Sequence, residues 1–174
     1  MQSIKAIIDT SFLIDWVKYE NRDLLFKYYD LVFLTESVLN EIKTETPLLW
    51  ISEWLAKGKI KILEETLDVR RKALFIVDIT RESPVRSADY PEAVCLVFGK
   101  ELGLDVLTEN GGVFIAKEII DEYRNVNVYR GIDVLYILFQ KGLITDFVSE
   151  VKKYINSTKH TYSKSILGKY GIKI

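Results

Sequence analysis

Short apolar runs alternate with stretches of helical period along the chain. Residues 4–8, 31–34, 104–108 and 126–129 are short runs rich in Ile, Val, Leu and Phe, and they read as strands. Residues 59–63 add a short edge strand. Between the runs, apolar positions recur every three to four residues. Val69, Ala73, Ile76 and Val77 mark a long helix over 66–81. Residues 91–102 form a strongly apolar helix that Gly103 ends, as glycines do just past a helix. Helices are also predicted after the first strand, around Phe12, Leu13 and Val17, and over 21–29, 37–46, 47–57, 114–123, 132–140 and 146–155. Strands alternating with helices predict a three-layer α/β/α domain on a mainly parallel sheet of about four to five strands. Strands apolar on both sides fit a sheet covered on both faces. In such sheets a site forms in the crevice at the carboxyl ends of the strands.

Composition narrows the chemistry. The 174 residues hold one Cys and one His, which exclude internal disulfides, zinc clusters and paired-imidazole catalysis. Cys95 sits in an apolar run and reads as a buried structural thiol; His160, in a basic tail, reads as solvated. No apolar run reaches membrane-spanning length and MQSIKAIIDT lacks a signal-peptide layout, so a cytoplasmic protein is expected. The net charge of −1 hides an asymmetry. Residues 151–174 carry six Lys (152, 153, 159, 164, 169 and 173) and no acid, which leaves a net −7 on residues 1–150. The chain therefore divides into a main domain over 1–150 and a basic C-terminal extension over 151–174. In the extension, Lys interleaved with Tyr162 and Tyr170 suits RNA contact, and its Ile166, Leu167 and Ile172 equally suit packing on the body.

What remains for chemistry is carboxylates. The first strand runs straight into Asp9, and the strand 104–108 runs into Glu109 and Asn110. Glu41 falls on the helix after the second strand, and Glu92 in the first turn of the helix 91–102. All four acids are expected at one end of one sheet. Crowded carboxylates raise one another's pKa, and a divalent cation resolves the conflict. Mg²⁺ and Mn²⁺ favour such oxygen ligands and assist phosphodiester hydrolysis.

These segments carry a resemblance. Ile7-Ile8-Asp9-Thr10-Ser11, Leu34-Thr35-Glu36-Ser37-Val38-Leu39-Asn40-Glu41-Ile42, Pro91-Glu92-Ala93-Val94 and Val106-Leu107-Thr108-Glu109-Asn110 follow in an order that resembles the PIN-domain nucleases, including VapC-like toxins, over roughly residues 4–145. The resemblance implies a PIN-like fold and a metal-dependent endoribonuclease. It implies Asp9, Glu41, Glu92 and Glu109 as the acids holding Mg²⁺ or Mn²⁺. Thr10 or Ser11 is then a hydroxyl near metal or phosphate, and Asn110 a further polar neighbour. RNA hydrolysis would leave 5′-phosphate and 3′-hydroxyl ends. A small antitoxin partner and a homodimer are implied as well. The chain departs from the family at its last acid, usually Asp in a TDD or TxD pattern, where Glu109 is followed by Asn110. Asp89 competes with Glu92 for the third position, and the spacing to Leu102 and Gly103 favours Glu92.

Each residue also has a plainer reading. Asp9 can cap the following helix, Asp89 and Glu92 resemble a capping box, and Glu41 suits a solvated helix face. The departure at Glu109 leaves a second function open: a catalytically inactive PIN-like module that binds RNA or protein. A haloacid-dehalogenase-like phosphatase fits poorly, because it wants a second Asp where Ser11 stands.

Overall fold

A computed structural model describes residues 3–82 and 86–172. Lys173 of the basic extension lies outside the described residues. Five parallel strands, β1 (Lys5–Ile8), β2 (Leu31–Thr35), β3 (Ile60–Leu63), β4 (Asp105–Leu107) and β5 (Val128–Tyr129), form one sheet in the order β3-β2-β1-β4-β5. In register, Ala6 lies beside Asp105 and Ile8 beside Leu107. The chain builds outward from β1 to β3, then jumps back to β4. The reversal between β1 and β4 is where an open α/β sheet parts to form a crevice.

Ten α-helices surround the sheet among the described residues: α1 (Thr10–Trp16), α2 (Leu25–Tyr28), α3 (Glu36–Glu41), α4 (Glu45–Ala56), α5 (Leu67–Arg81), α6 (Tyr90–Leu102), α7 (Gly111–Ile119), α8 (Gly131–Gln140), α9 (Phe147–Thr158) and α10 (Lys164–Lys169). Right-handed crossovers require the helices on the two sides of the reversal to cover opposite faces. The packing agrees: α5, α6 and α7 pack on one another, while α1 packs on α3 and α9. The result is a three-layer α/β/α architecture, as the strand–helix alternation predicts.

Burial explains the arrangement. Ile7, Ile8, Val106 and Leu107 are wholly buried in the middle strands. α6 is buried from Pro91 to Gly99, which is why its sequence is apolar on every side. Gly99 has a packing reason too: a Cβ there would lie 2.4 Å from Val106. Gly103 ends α6 at φ 63°, the left-handed conformation that favours glycine.

Several boundaries differ from the sequence pattern. The helix expected over 114–123 begins earlier, at Gly111, because Asn110 caps it, and residues 121–123 form a separate 3-10 turn. The sequence pattern gives no helix after residue 155, yet α10 folds back and buries Leu167, with Ile172 buried just beyond it.

Candidate active site

Asp9 stands at the end of β1 with no exposed surface. Its extended backbone (φ −85°, ψ 173°) makes it the N-cap of α1, and Oδ1 accepts from Phe12 N at 2.8 Å. Ser11 Oγ donates to both carboxylate oxygens, at 2.9 and 3.0 Å. Thr108 Oγ1, at the end of β4, donates to Oδ2. The capping role is therefore present, and it leaves the carboxylate at the reversal point. Burial pushes the Asp9 pKa up to about 6, against the lowering effect of Phe12 N, Thr108 and Ser11.

Glu92 approaches from α6. It is 6% exposed, and Oε2 accepts from Asp89 N at 3.0 Å, the reciprocal bond of a capping box. Its Oε1 accepts from the Asn110 side-chain amide. Burial is the main force raising Glu92 to about 7, and the nearby Asp9 charge adds to it. Asp9 and Glu92 are thus a buried pair of carboxylates, each resisting ionisation. Asp89 is exposed at the helix cap.

The remaining acids are placed differently. Glu41 is exposed at the end of α3, where its Oε2 accepts from Thr10 Oγ1, beside Asp9. Glu109 is held by other partners, although its charge adds to the raising of Asp9. Its Oε1 accepts from Gly131 N at 2.8 Å, Tyr154 Oη at 2.8 Å and Tyr162 Oη at 2.9 Å. Oε2 is sealed from solvent and makes no hydrogen bond; it lies 3.3 Å from His160 Nε2. Burial raises Glu109, and the His160 charge opposes that rise most strongly. The neighbour that faces Glu92 is Asn110, with Oδ1 held by Gly112 N at 3.0 Å and Nδ2 thereby aimed at the carboxylate. Gly112 lies in the first turn of α7, where a Cβ would lie 2.2 Å from Ser87 O. The sequence pattern places four acids together; in the structure Asp9 raises Glu92 and Glu109 raises Asp9, with Glu41 exposed at the margin and the Glu109 oxygens engaged by their own partners. Among the described residues, no group of three or more His, Cys, Asp or Glu side chains is arranged to hold a metal ion.

Two residues change role. His160 is not solvated: its Nδ1 lies 3.0 Å from Asp15 Oδ2, and its ring sits beside Tyr162. The Asp15 bond is the largest influence raising its pKa. Glu65, just after β3, was not singled out by the sequence pattern. It is 6% exposed and braces two helices, its Oε1 accepting from Ser37 N at 2.7 Å and Oε2 from Tyr90 Oη at 3.0 Å. The apolar run of β3 ends at Glu64, so the signal that marks Asp9 does not single out Glu65. Cys95 is wholly buried; burial pushes its thiol up, and the charges of Asp9, Glu92, Glu65 and Glu41 push further. Part of the basic extension is docked. Tyr162 is buried, Lys153 pairs with Glu150 and Glu20, and Lys169 pairs with Asp133 at 3.2 Å.

Fold and site together define an α/β protein with a buried carboxylate pair at the carboxyl ends of parallel strands. No protein-family model matches the chain, and no curated protein matches it. Among solved structures it is similar to Mycobacterium tuberculosis VapC20, described as a Sarcin-Ricin loop cleaving toxin. The identity is 14% and the TM-score 0.49, over 64% of this chain and 94% of that one.

Proposed function

We propose that the protein is a PIN-type, metal-dependent ribonuclease that hydrolyses RNA phosphodiester bonds at the crevice between β1 and β4. The observation that carries the reading is Asp9, a carboxylate with no exposed surface that ends the central strand against a second buried carboxylate, Glu92. Burying two acids is costly unless something compensates their charge. Mg²⁺ fits a site of this kind, since it uses one or two carboxylates and completes its shell with water and substrate phosphate. Asp9 and Glu92 would hold the ion. A divalent cation there supplies charge that activates water and stabilises the leaving oxygen.

The other residues prepare that pair. Ser11 and Thr108 fix both oxygens of Asp9. Asn110 and the Asp89 amide fix Glu92. Thr10 and Glu41 stand at the mouth, where an exposed carboxylate can accept from a water approaching the phosphate. Glu109 is assigned to anchoring the C-terminal segment. The motif resemblance supports a wider proposal: a toxin held by a small antitoxin, a homodimer, and action in the cytoplasm. A second reading, an inactive PIN-like module that binds RNA or protein, is favoured by the Asn110 amide, which stands beside Glu92 where a third carboxylate was expected. Calorimetric titration with Mn²⁺ separates the two: the nuclease reading expects binding that Asp9→Asn removes, and the inactive module expects none.

A further inference from the structure

A concavity of 610 Å³ lies between α3, the start of α5 and the start of α6. Ser37, Asn40, Arg70 and Tyr90 help to line it, together with the acids Glu36 and Glu65. Its volume falls within the range of about 300–1,000 Å³ usual for small-ligand sites. Tyr90 opens α6 in the same first turn as Glu92. Asn40 lines it from α3, while the adjacent Glu41 reaches Thr10 beside Asp9. Two chain neighbours, Asn40–Glu41 on α3 and the first turn of α6, thus link the cavity to the carboxylate centre.

We propose that this cavity is a nucleobase subsite for single-stranded RNA flanking the cleaved bond, with the Tyr90 ring as stacking platform and Asn40 as edge reader. The proposal rests on the ribonuclease reading. The platform is preformed. Tyr90 Oη is tied to Glu65 at 3.0 Å, and Glu65 is tied in turn to Ser37 N at 2.7 Å. Arg70 Nε donates to the Glu65 carbonyl at 2.9 Å, and its Nη2 lies 3.6 Å from Glu36 Oε2. The ring is partly exposed and needs no ordering on binding. Every base offers a π-face to such a ring. Asn40 is exposed, and its amide carries both donors and an acceptor for a base edge. Arg70 keeps 52% of its side chain exposed and would meet a phosphate by exchanging its Glu36 partner. Glu65 is already occupied by its donors, so it holds the platform and does not read the base.

The test is fluorescence anisotropy with a fluorescein-labelled, mixed-sequence RNA 10-mer in Mg²⁺, using full-length Asp9→Asn protein so that the strand stays intact. Adding Tyr90→Ala or Asn40→Ala is expected to weaken binding about fivefold or more, while Tyr90→Phe, which keeps the ring, stays within about twofold. Asn40→Ala changes an exposed side chain, so its effect does not come from misfolding. Binding within twofold in both alanine variants, or no RNA binding at all, overturns the subsite. Cleavage mapped in the otherwise wild-type protein separates the two proposals. Cleavage with unchanged binding in the alanine variants retains the nuclease and removes the subsite. Weakened binding in a protein that never cleaves retains the subsite and removes the nuclease.

Discussion

Asn110 donates its side-chain amide to Glu92, while its neighbour Glu109 turns its carboxylate to Tyr154 and Tyr162. Two adjacent residues at the end of one strand thus serve two structures. One orients the acid pair, and the other bolts the C-terminal segment to the domain.

Asn110→Asp is expected to place a third carboxylate beside Glu92 and Asp9 while keeping the cap on Gly112 N. Without metal, like-charge crowding lowers the melting temperature at pH 7.5, at a cost of about 1–2 kcal/mol. With Mn²⁺, calorimetry shows tighter binding than wild type, by about tenfold or more.

Glu109→Ala removes the common acceptor of Gly131 N, Tyr154 and Tyr162. Three buried donors are then left unpaired, at about 1–3 kcal/mol each before relaxation. Denaturant unfolding is expected to show a loss of about 3 kcal/mol. Glu109→Gln costs less and leaves Mn²⁺ affinity near wild type, in contrast to Asp9→Asn.

The pH dependence has a definite sign. Asp9 and Glu92 titrate at about 6 and about 7 when folded, from ordinary values of 3.8 and 4.5. Between pH 4 and 7 the folded state therefore holds more protons than the unfolded chain, and metal-free stability falls as pH rises through that window. The two shifts together put the fall on the order of 6 kcal/mol. His160, raised by Asp15, contributes in the same direction, because its ion pair weakens as it loses its proton. Asp9→Asn takes away the Asp9 share, and saturating Mn²⁺ flattens the slope; urea unfolding at pH 5 and pH 8 measures both.

The five-stranded parallel sheet was legible because its strands are bounded apolar runs and α6 is apolar all round. Asp9 was legible for the same reason: its run stops at a carboxylate. The division of labour between Glu109 and Asn110 was not. Consecutive residues leaving a strand point opposite ways, and which one faces the crevice depends on partners far along the chain. Gly131, Tyr154, Tyr162 and His160 all lie beyond β5, and no local period marks them as surrounding Glu109. Asn110, in turn, is aimed by the cap it makes on α7, a contact that sequence spacing does not display. Glu65 escaped notice because β3 is an edge strand whose middle residues are exposed, so its carboxyl end carries a weaker apolar signature.

The central claim is that the Asp9–Glu92 pair is a metal-dependent centre that cuts RNA. Single-turnover cleavage of a labelled single-stranded RNA, followed for wild type, Asp9→Asn and Glu92→Gln with Mn²⁺ and with EDTA, tests it most directly. Cleavage is expected from wild type with Mn²⁺, with none in EDTA and loss of activity in both variants. Cleavage that persists in EDTA or in Asp9→Asn contradicts the claim.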